Sequence, residues 1–192
     1  MVKRHILVIL AVGLLSTLSG MAGLAVFTDS QAVDANTFST GNVDISTAPT
    51  TALVTFSSMA PGDTVTNGIV VTNAGGLALR YAITSAATNA DALALKDALA
   101  LTIKTIDVTT PGTPCDDFDG TQLYTGDLDD GAGGVLVGSN AQGAQAGDRT
   151  LAAAASETLC FRVALALGAT GPQNAATTGT FTFDAEQTAN NP

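Results

Sequence analysis

Histidine is nearly absent: the sole one, His5, precedes a long apolar run and lies in a segment expected to leave on export. A mature chain without histidine excludes Ser-His-Asp and Cys-His nucleophilic catalysis, His-ligated zinc and HExxH chemistry. Tryptophan is missing and aromatics make up only 5% of the chain, which leaves little support for carbohydrate binding by ring stacking. Basic residues are scarce as well, seven Lys and Arg against 17 Asp and Glu. Such a surface repels phosphate backbones, so no nucleic-acid partner is expected. The stretch GDLDDGAGG lacks the following Lys-Ser/Thr of a phosphate loop.

What is present begins with a targeting signal. Lys3 and Arg4 form a positive flank before a mostly apolar run from Ile6 to Val26, about 20 residues and long enough to cross a hydrocarbon core ~30 Å thick. Small residues cluster at its distal end, and Gly23-Leu24-Ala25 meets the small-x-small pattern that a signal peptidase requires. Residues 1–25 are therefore expected to be a cleaved signal peptide, cut between Gly23 and Val26. The alternative is an uncleaved anchor, although no basic stop-transfer cluster follows. The expected location is secreted, with membrane contact only through this segment before cleavage. Loss of Lys3 and Arg4 takes the formal charge from −10 to −12. About 167 residues remain, a normal size for one domain with a single core. Most of the acid is Asp, which favours turns and loop ends over helix interiors.

Residues 26–41 carry a few apolar side chains, Val26, Phe27, Val33 and Phe38, among polar ones. They are too few to fold alone and read as an extended arm. From residue 42 the hydrophobic period becomes two. Val43 and Ile45 mark one short strand and Leu53-Val54-Thr55-Phe56 a second. Pro61-Gly62-Asp63 is a turn, followed by a strand over Thr64 to Asn73 in which Asn67-Gly68 suggests a bulge. Ala74-Gly75-Gly76 reads as a hairpin turn into Leu79, Tyr81 and Ile83, making two paired antiparallel strands. Ala90 to Leu99 reads as a short helix capped by Thr88 or Asn89. LTIKTIDV at Leu101–Val108 returns to a β-branched strand.

Residues 115–148 form an insertion-like loop with one strand at Gln122 to Thr125 and an apolar patch at Val135 to Val137. Leu159, Phe161, Val163, Leu165 and Leu167 then share one parity, and Phe181 with Phe183 another. Short strands, polar turns, one helix and no βαβ rhythm predict an all-β fold over 42–192. The expected architecture is an antiparallel β-sandwich, immunoglobulin-like or jelly-roll in topology.

Cys115 and Cys160 are an even pair in an exported chain, which points to a disulfide, with a two-thiol metal site as the alternative. Cys160 falls on the face opposite Phe161, suiting a bridge to an overlying loop. Asp116, Asp117 and Asp119, then Asp127, Asp129 and Asp130, are candidate calcium ligands. Counting Asp127 as position one of an EF-hand puts Gly138 at the acidic twelfth place; the competing reading is a solvated acidic loop, and no cofactor is expected. Lys96 and Lys104 are the lysines left after cleavage, and Lys104, on the face opposite the apolar parity, reads as solvated rather than as an isopeptide donor. Tyr81 and Tyr124 read as packing residues. The polar tail AEQTANNP has neither a lipid-anchor nor a sortase-type signal.

Three segments, GLAVFTDSQAVDANTFSTGNVDIS, MAPGDTVTNGIVVTNAGGLALRYAIT and LCFRVALAL with FTFDAEQTANNP, resemble the exported TasA and camelysin family. The Asn36-Thr37-Phe38 to Asp44 motif beside the apolar segment is the most specific of them. The resemblance implies a signal peptide processed by the SipW type of signal peptidase and a secreted β-sandwich subunit of biofilm-matrix or cell-surface fibres. It further implies that the freed arm, about Val26 to Phe38, inserts as a strand into the neighbouring subunit. The expected partners are then the chain itself, in a head-to-tail homopolymer, the signal peptidase, and other matrix or surface components. The rival readings are a monomeric secreted binding module and a camelysin-type metalloendopeptidase. The missing histidine argues against carrying the second activity over.

Overall fold

The computed structural model describes residues 37, 39–51, 53–54, 58–109, 113–130, 134–169 and 173–191. The chain divides into two units, residues 1–39 and 40–192, and the second is a two-layer antiparallel sandwich. The signal segment, the arm residues Val26, Phe27, Val33 and Phe38, and Thr55 and Phe56 of the expected second strand lie outside the described residues.

Among the described residues the sandwich has nine strands and one helical turn. They are β1 (Ile45–Ala48), β2 (Thr64–Asn73), β3 (Leu79–Ala87), α1 (Leu95–Ala98), β4 (Leu99–Thr105), β5 (Gln122–Asp127), β6 (Val135–Val137), β7 (Arg149–Leu151), β8 (Ser156–Leu165) and β9 (Gly179–Gln187). One sheet has the order β1-β2-β8-β4-β5; in the other, β3 pairs β9 along one edge and β6 and β7 along its opposite edge. All pairings are antiparallel.

The period-two pattern explains the layers. In β8, Leu159, Phe161 and Val163 are buried and project from one face, where they meet Ile69 and Val71 of β2, Leu101 and Ile103 of β4, and Leu79, Tyr81 and Ile83 of β3. Phe161 packs edge-on against Phe181 across the layers, with ring centroids 5.1 Å apart. Alternation of this kind hides one face of each strand and leaves Thr and Ser on the other. Leu167 does not continue the stripe: β8 ends at Leu165 and Leu167 is 82% exposed.

Four local expectations are corrected. Strands β2 and β3 do not pair across Ala74-Gly75-Gly76; the chain crosses from one sheet to the other there. Fully buried Asn73 holds the crossing, its amide donating to Leu77 O and Ala152 O while its Oδ1 accepts from Gly75 N. Residues 42–44 close over the turn, with Ala74 N donating to Asp44 O and Leu77 N to Asn42 O. A Cβ on Gly75 would sit 2.5 Å from Asn42 O, so only glycine allows that approach.

The bulge expected at Asn67-Gly68 is absent, because the register Asn67↔Phe161, Gly68↔Cys160 runs on unbroken. Gly68 instead leaves room for Cys115: a Cβ there would lie 3.1 Å from its Sγ. The helix is one turn, Leu95–Ala98, rather than Ala90 to Leu99. Asp91 Oδ1 takes the Leu93 amide and Asn89 Oδ1 the Ala94 amide, a side-chain alternative to the helical ladder. Leu99 belongs to β4 and is buried in its sheet. Finally, Leu53 and Val54 are bends rather than strand residues.

Truncation of Phe161 to alanine removes the ring that both layers share. It is expected to cost about 3–5 kcal/mol, measured as the loss of unfolding free energy in a urea titration of the folded domain.

Candidate functional site: an open seam and its cleft

A two-layer sandwich has two long sides, and here they differ. On one, β5 and β6 approach each other, so the sheets are joined across the gap. On the other, β1 and β9 are the outermost strands, each paired along one edge only among the described residues. Unpaired strand edges present free N–H and C=O groups and are templates for another strand.

The seam widens into a cleft of about 1490 Å³ between the β1–β2 connection and the chain entering β9. Its apolar wall is formed by Leu53, Val54, Met59, Ile69, Leu165 and Phe181, all members of the core or packed against it. Hydroxyl and amide side chains, among them Thr47, Thr51 and Gln173, complete the lining. The cleft runs along β1 and β2, from Pro61, beside Gly62 whose N donates to Leu165 O just before β2 begins, to Thr47, two residues from Ile45 where the arm enters β1. Ile45 itself pairs with Asn73 at the last residue of β2.

The disulfide is as expected: Cys115 and Cys160 are joined, their Cα atoms 5.4 Å apart. It pins the 113–121 loop to the outer face of β8. Phe118 in that loop lies between two cations, Arg162 at 3.8 Å and Lys104 at 4.8 Å from its ring centre. Lys104 also donates to Phe118 O, so it is half-buried under the loop rather than solvated. Lys96 is likewise engaged, by Asp97 at 2.8 Å and Asp129 at 3.1 Å, and both carboxylates raise its pKa.

The acidic residues are dispersed. Asp127 lends its carbonyl to Tyr124 OH, Asp129 pairs with Lys96, and Asp130 Oδ1 is 3.5 Å from Tyr124 OH. Burial, then the carboxylates of Asp130 and Asp127, push the Tyr124 phenol up to about 12. Asp117 receives Thr109 Oγ1 and Asp119 receives Val108 N, while Asp107 is buried and takes the Asp117 amide. Among the described residues no three His, Cys, Asp or Glu side chains converge as a metal set.

A second polar network bridges the layers. Tyr81 OH donates to Glu157 Oε1 at 2.7 Å, and Arg149 pairs with the same carboxylate. Burial first, then Glu157, raise the Tyr81 phenol far above its ordinary value near 10. Glu157 also raises Arg149. This network is structural: all three polar ends face one another, away from the cleft lining.

Neither the cleft nor its position was readable from the residues, because strand order decides it. The only sequence sign was an apolar pair, Leu53-Val54, in a stretch that belongs to no strand. An antiparallel sandwich with one closed and one open side is the class of protein these features define. A family model described as Camelysin metallo-endopeptidase matches residues 2–109, and the chain belongs to this camelysin and TasA family. The match spans β1 to β4 and ends before the first cysteine. No curated protein matches the chain.

The family description implies a metal, and the described residues do not fit one. The single histidine precedes the apolar run, both cysteines are spent in the disulfide, and buried Asp129 and half-buried Glu157 pair with Lys96 and Arg149. No catalytic step through a metal is derived.

Two measurements check these assignments. Replacing Cys115 and Cys160 together by serine releases a loop with 45-residue separation; the expected loss is up to about 4 kcal/mol in denaturant unfolding. Tyr81→Phe removes one buried hydrogen bond and is expected to cost about 1–3 kcal/mol at neutral pH. Because the folded phenol is raised, its contribution is full below pH 10 and falls as alkali ionises the unfolded chain. The variant should therefore lose less stability than wild type between about pH 10 and 12.

Proposed function

We propose that the chain is a secreted, non-enzymatic structural subunit of extracellular or cell-surface fibres. Signal cleavage frees residues 26–38, and this arm joins the open seam of the next copy as an added strand. One observation carries the reading: among the described residues β1 and β9 lack outer partners, and the cleft beside them has buried Ile69 and Leu165 in its wall. An arm whose Val26, Phe27, Val33 and Phe38 bury little by themselves gains main-chain hydrogen bonds and apolar cover on an open edge. Insertion of one copy's arm into the seam of the next is a heterologous contact, and where such contacts do not close on themselves the product is a filament. Family membership supports the same reading.

The test is assembly of the processed chain. Secreted protein beginning near Val26 should form filaments in negative-stain microscopy, and deletion of 26–38 should leave monomers with an unchanged circular-dichroism spectrum. Processed material that stays monomeric at every concentration would leave a sandwich with another role. Chelator-sensitive cleavage of casein by pure protein would establish the peptidase reading instead.

A further inference from the structure

The two free edges on the open side are unequal. In an antiparallel ladder, residues alternate between those whose N–H and C=O point to the partner strand and those whose groups point away. At one end of the β3–β9 pairing Thr188 N donates to Ala78 O, at the other Thr88 N donates to Thr178 O, and the register between them is unbroken. The even-numbered residues of β9 therefore bond to β3. The outward groups belong to Gly179, Phe181, Phe183, Ala185 and Gln187, and among the described residues only the Gln187 carbonyl is taken, by the Asn191 amide. On β1, where Ala74 N donates to Asp44 O, the same alternation leaves only Ile45 and Thr47 facing out. The next outward position is Pro49, which has no N–H to offer.

β9 is also where the smaller sheet stops short. The larger sheet is five strands wide and the smaller only three, since β6 and β7 share one edge of β3. On the closed side β5 meets β6, while Phe181 of β9 packs on Phe161 of β8. Among the described residues no strand lies opposite β2 and β1, and the cleft occupies that place with Gly179, Thr180 and Phe181 in its lining. The residues of β9 with outward groups are the ones whose side chains face the core, and Phe181, Phe183 and Ala185 are only half-buried there. No charged side chain lines the cleft.

We infer that β9, and not β1, is the edge that receives the added strand, and that its occupant is an extended segment of a second copy; this rests on the fibre reading above. A strand laid along β9 becomes the fourth of the smaller sheet, roughly 4.8 Å further out. Its residues bonded to Phe181, Phe183 and Ala185 point their side chains to the same face as these do. The edge thus selects uncharged residues at every second position. A second copy fits this edge better than the same chain does. Asn42 O is bonded to Leu77 N, beside the Gln187 end of β9, so a segment leading into Asn42 along its own β9 would run parallel to it. Every pairing among the described residues is antiparallel, the slightly more stable kind, and a second copy is free to enter in that direction.

Proline tests the edge, because an edge strand tolerates it where the missing N–H faced solvent. Ala185→Pro removes an outward N–H from β9 and Thr47→Pro one from β1, and neither takes a bond from the strand behind. Filament growth of the processed chain, followed by light scattering, should fall on the order of tenfold or more in Ala185→Pro and stay within about twofold of wild type in Thr47→Pro. Unchanged growth in Ala185→Pro, or growth lost only in Thr47→Pro, overturns the edge assignment and leaves the fibre reading standing. Should either variant fail to fold by circular dichroism, residue-resolved amide exchange on the wild-type chain decides. The amides of Phe181, Phe183 and Ala185 should exchange fast in the single chain and slowly in the filament, with Ile45 and Thr47 gaining less. Slow exchange of those three amides already in the single chain means that its own arm fills the edge, and fast exchange in the filament means that another surface joins the copies; either result overturns the inference. No filament from wild type defeats the fibre reading itself.

Discussion

The structure depends on a mismatch between two sheets that share one core. Both layers bury an apolar face on β8 and β3, and among the described residues their edge strands meet on one side, β5 with β6. Along the other, β1 is a four-residue strand, and the cleft opens beside it with buried Ile69 and Leu165 in its wall. Its wall is made of the same side chains that stabilise the fold, so the opening cannot be removed by a single surface change.

The rest of the molecule reinforces this arrangement rather than closing it. The disulfide and the Phe118 clamp fasten a loop on the outer face of the five-stranded sheet. Glu157, with Tyr81 and Arg149, ties the two layers together near the end where the arm enters. Asn73 fixes the sheet-to-sheet crossing beside it. The end of the sandwich where the chain enters β1 is thus densely hydrogen-bonded.

Much of the fold was legible in the residues, because period-two alternation is a local signal. The stripe Leu159-Phe161-Val163-Leu165, the pair Phe181-Phe183 and the outward direction of Cys160 all follow from parity alone, while the disulfide follows from an even cysteine pair in a chain expected to be exported. Other features depend on partners distant in sequence. Gly68 looks like a bulge signal until Cys115, 47 positions on, is placed over it. Ala74-Gly75-Gly76 looks like a hairpin turn until Asn73 is seen bonded to Leu151 and Ala152. The helix over Ala90 to Leu99 fails locally, since Asn89 and Asp91 compete for the amides that would build it. The cleft was illegible for the strongest reason: it is a property of strand order, which no residue pattern encodes.

Amide hydrogen exchange, compared between the single processed chain and the assembled form, tests the central claim most directly. New protection is expected along β1 and β9, with β5 and β6 unchanged. Protection gained at β5 and β6 instead, or at no strand edge, would contradict the account.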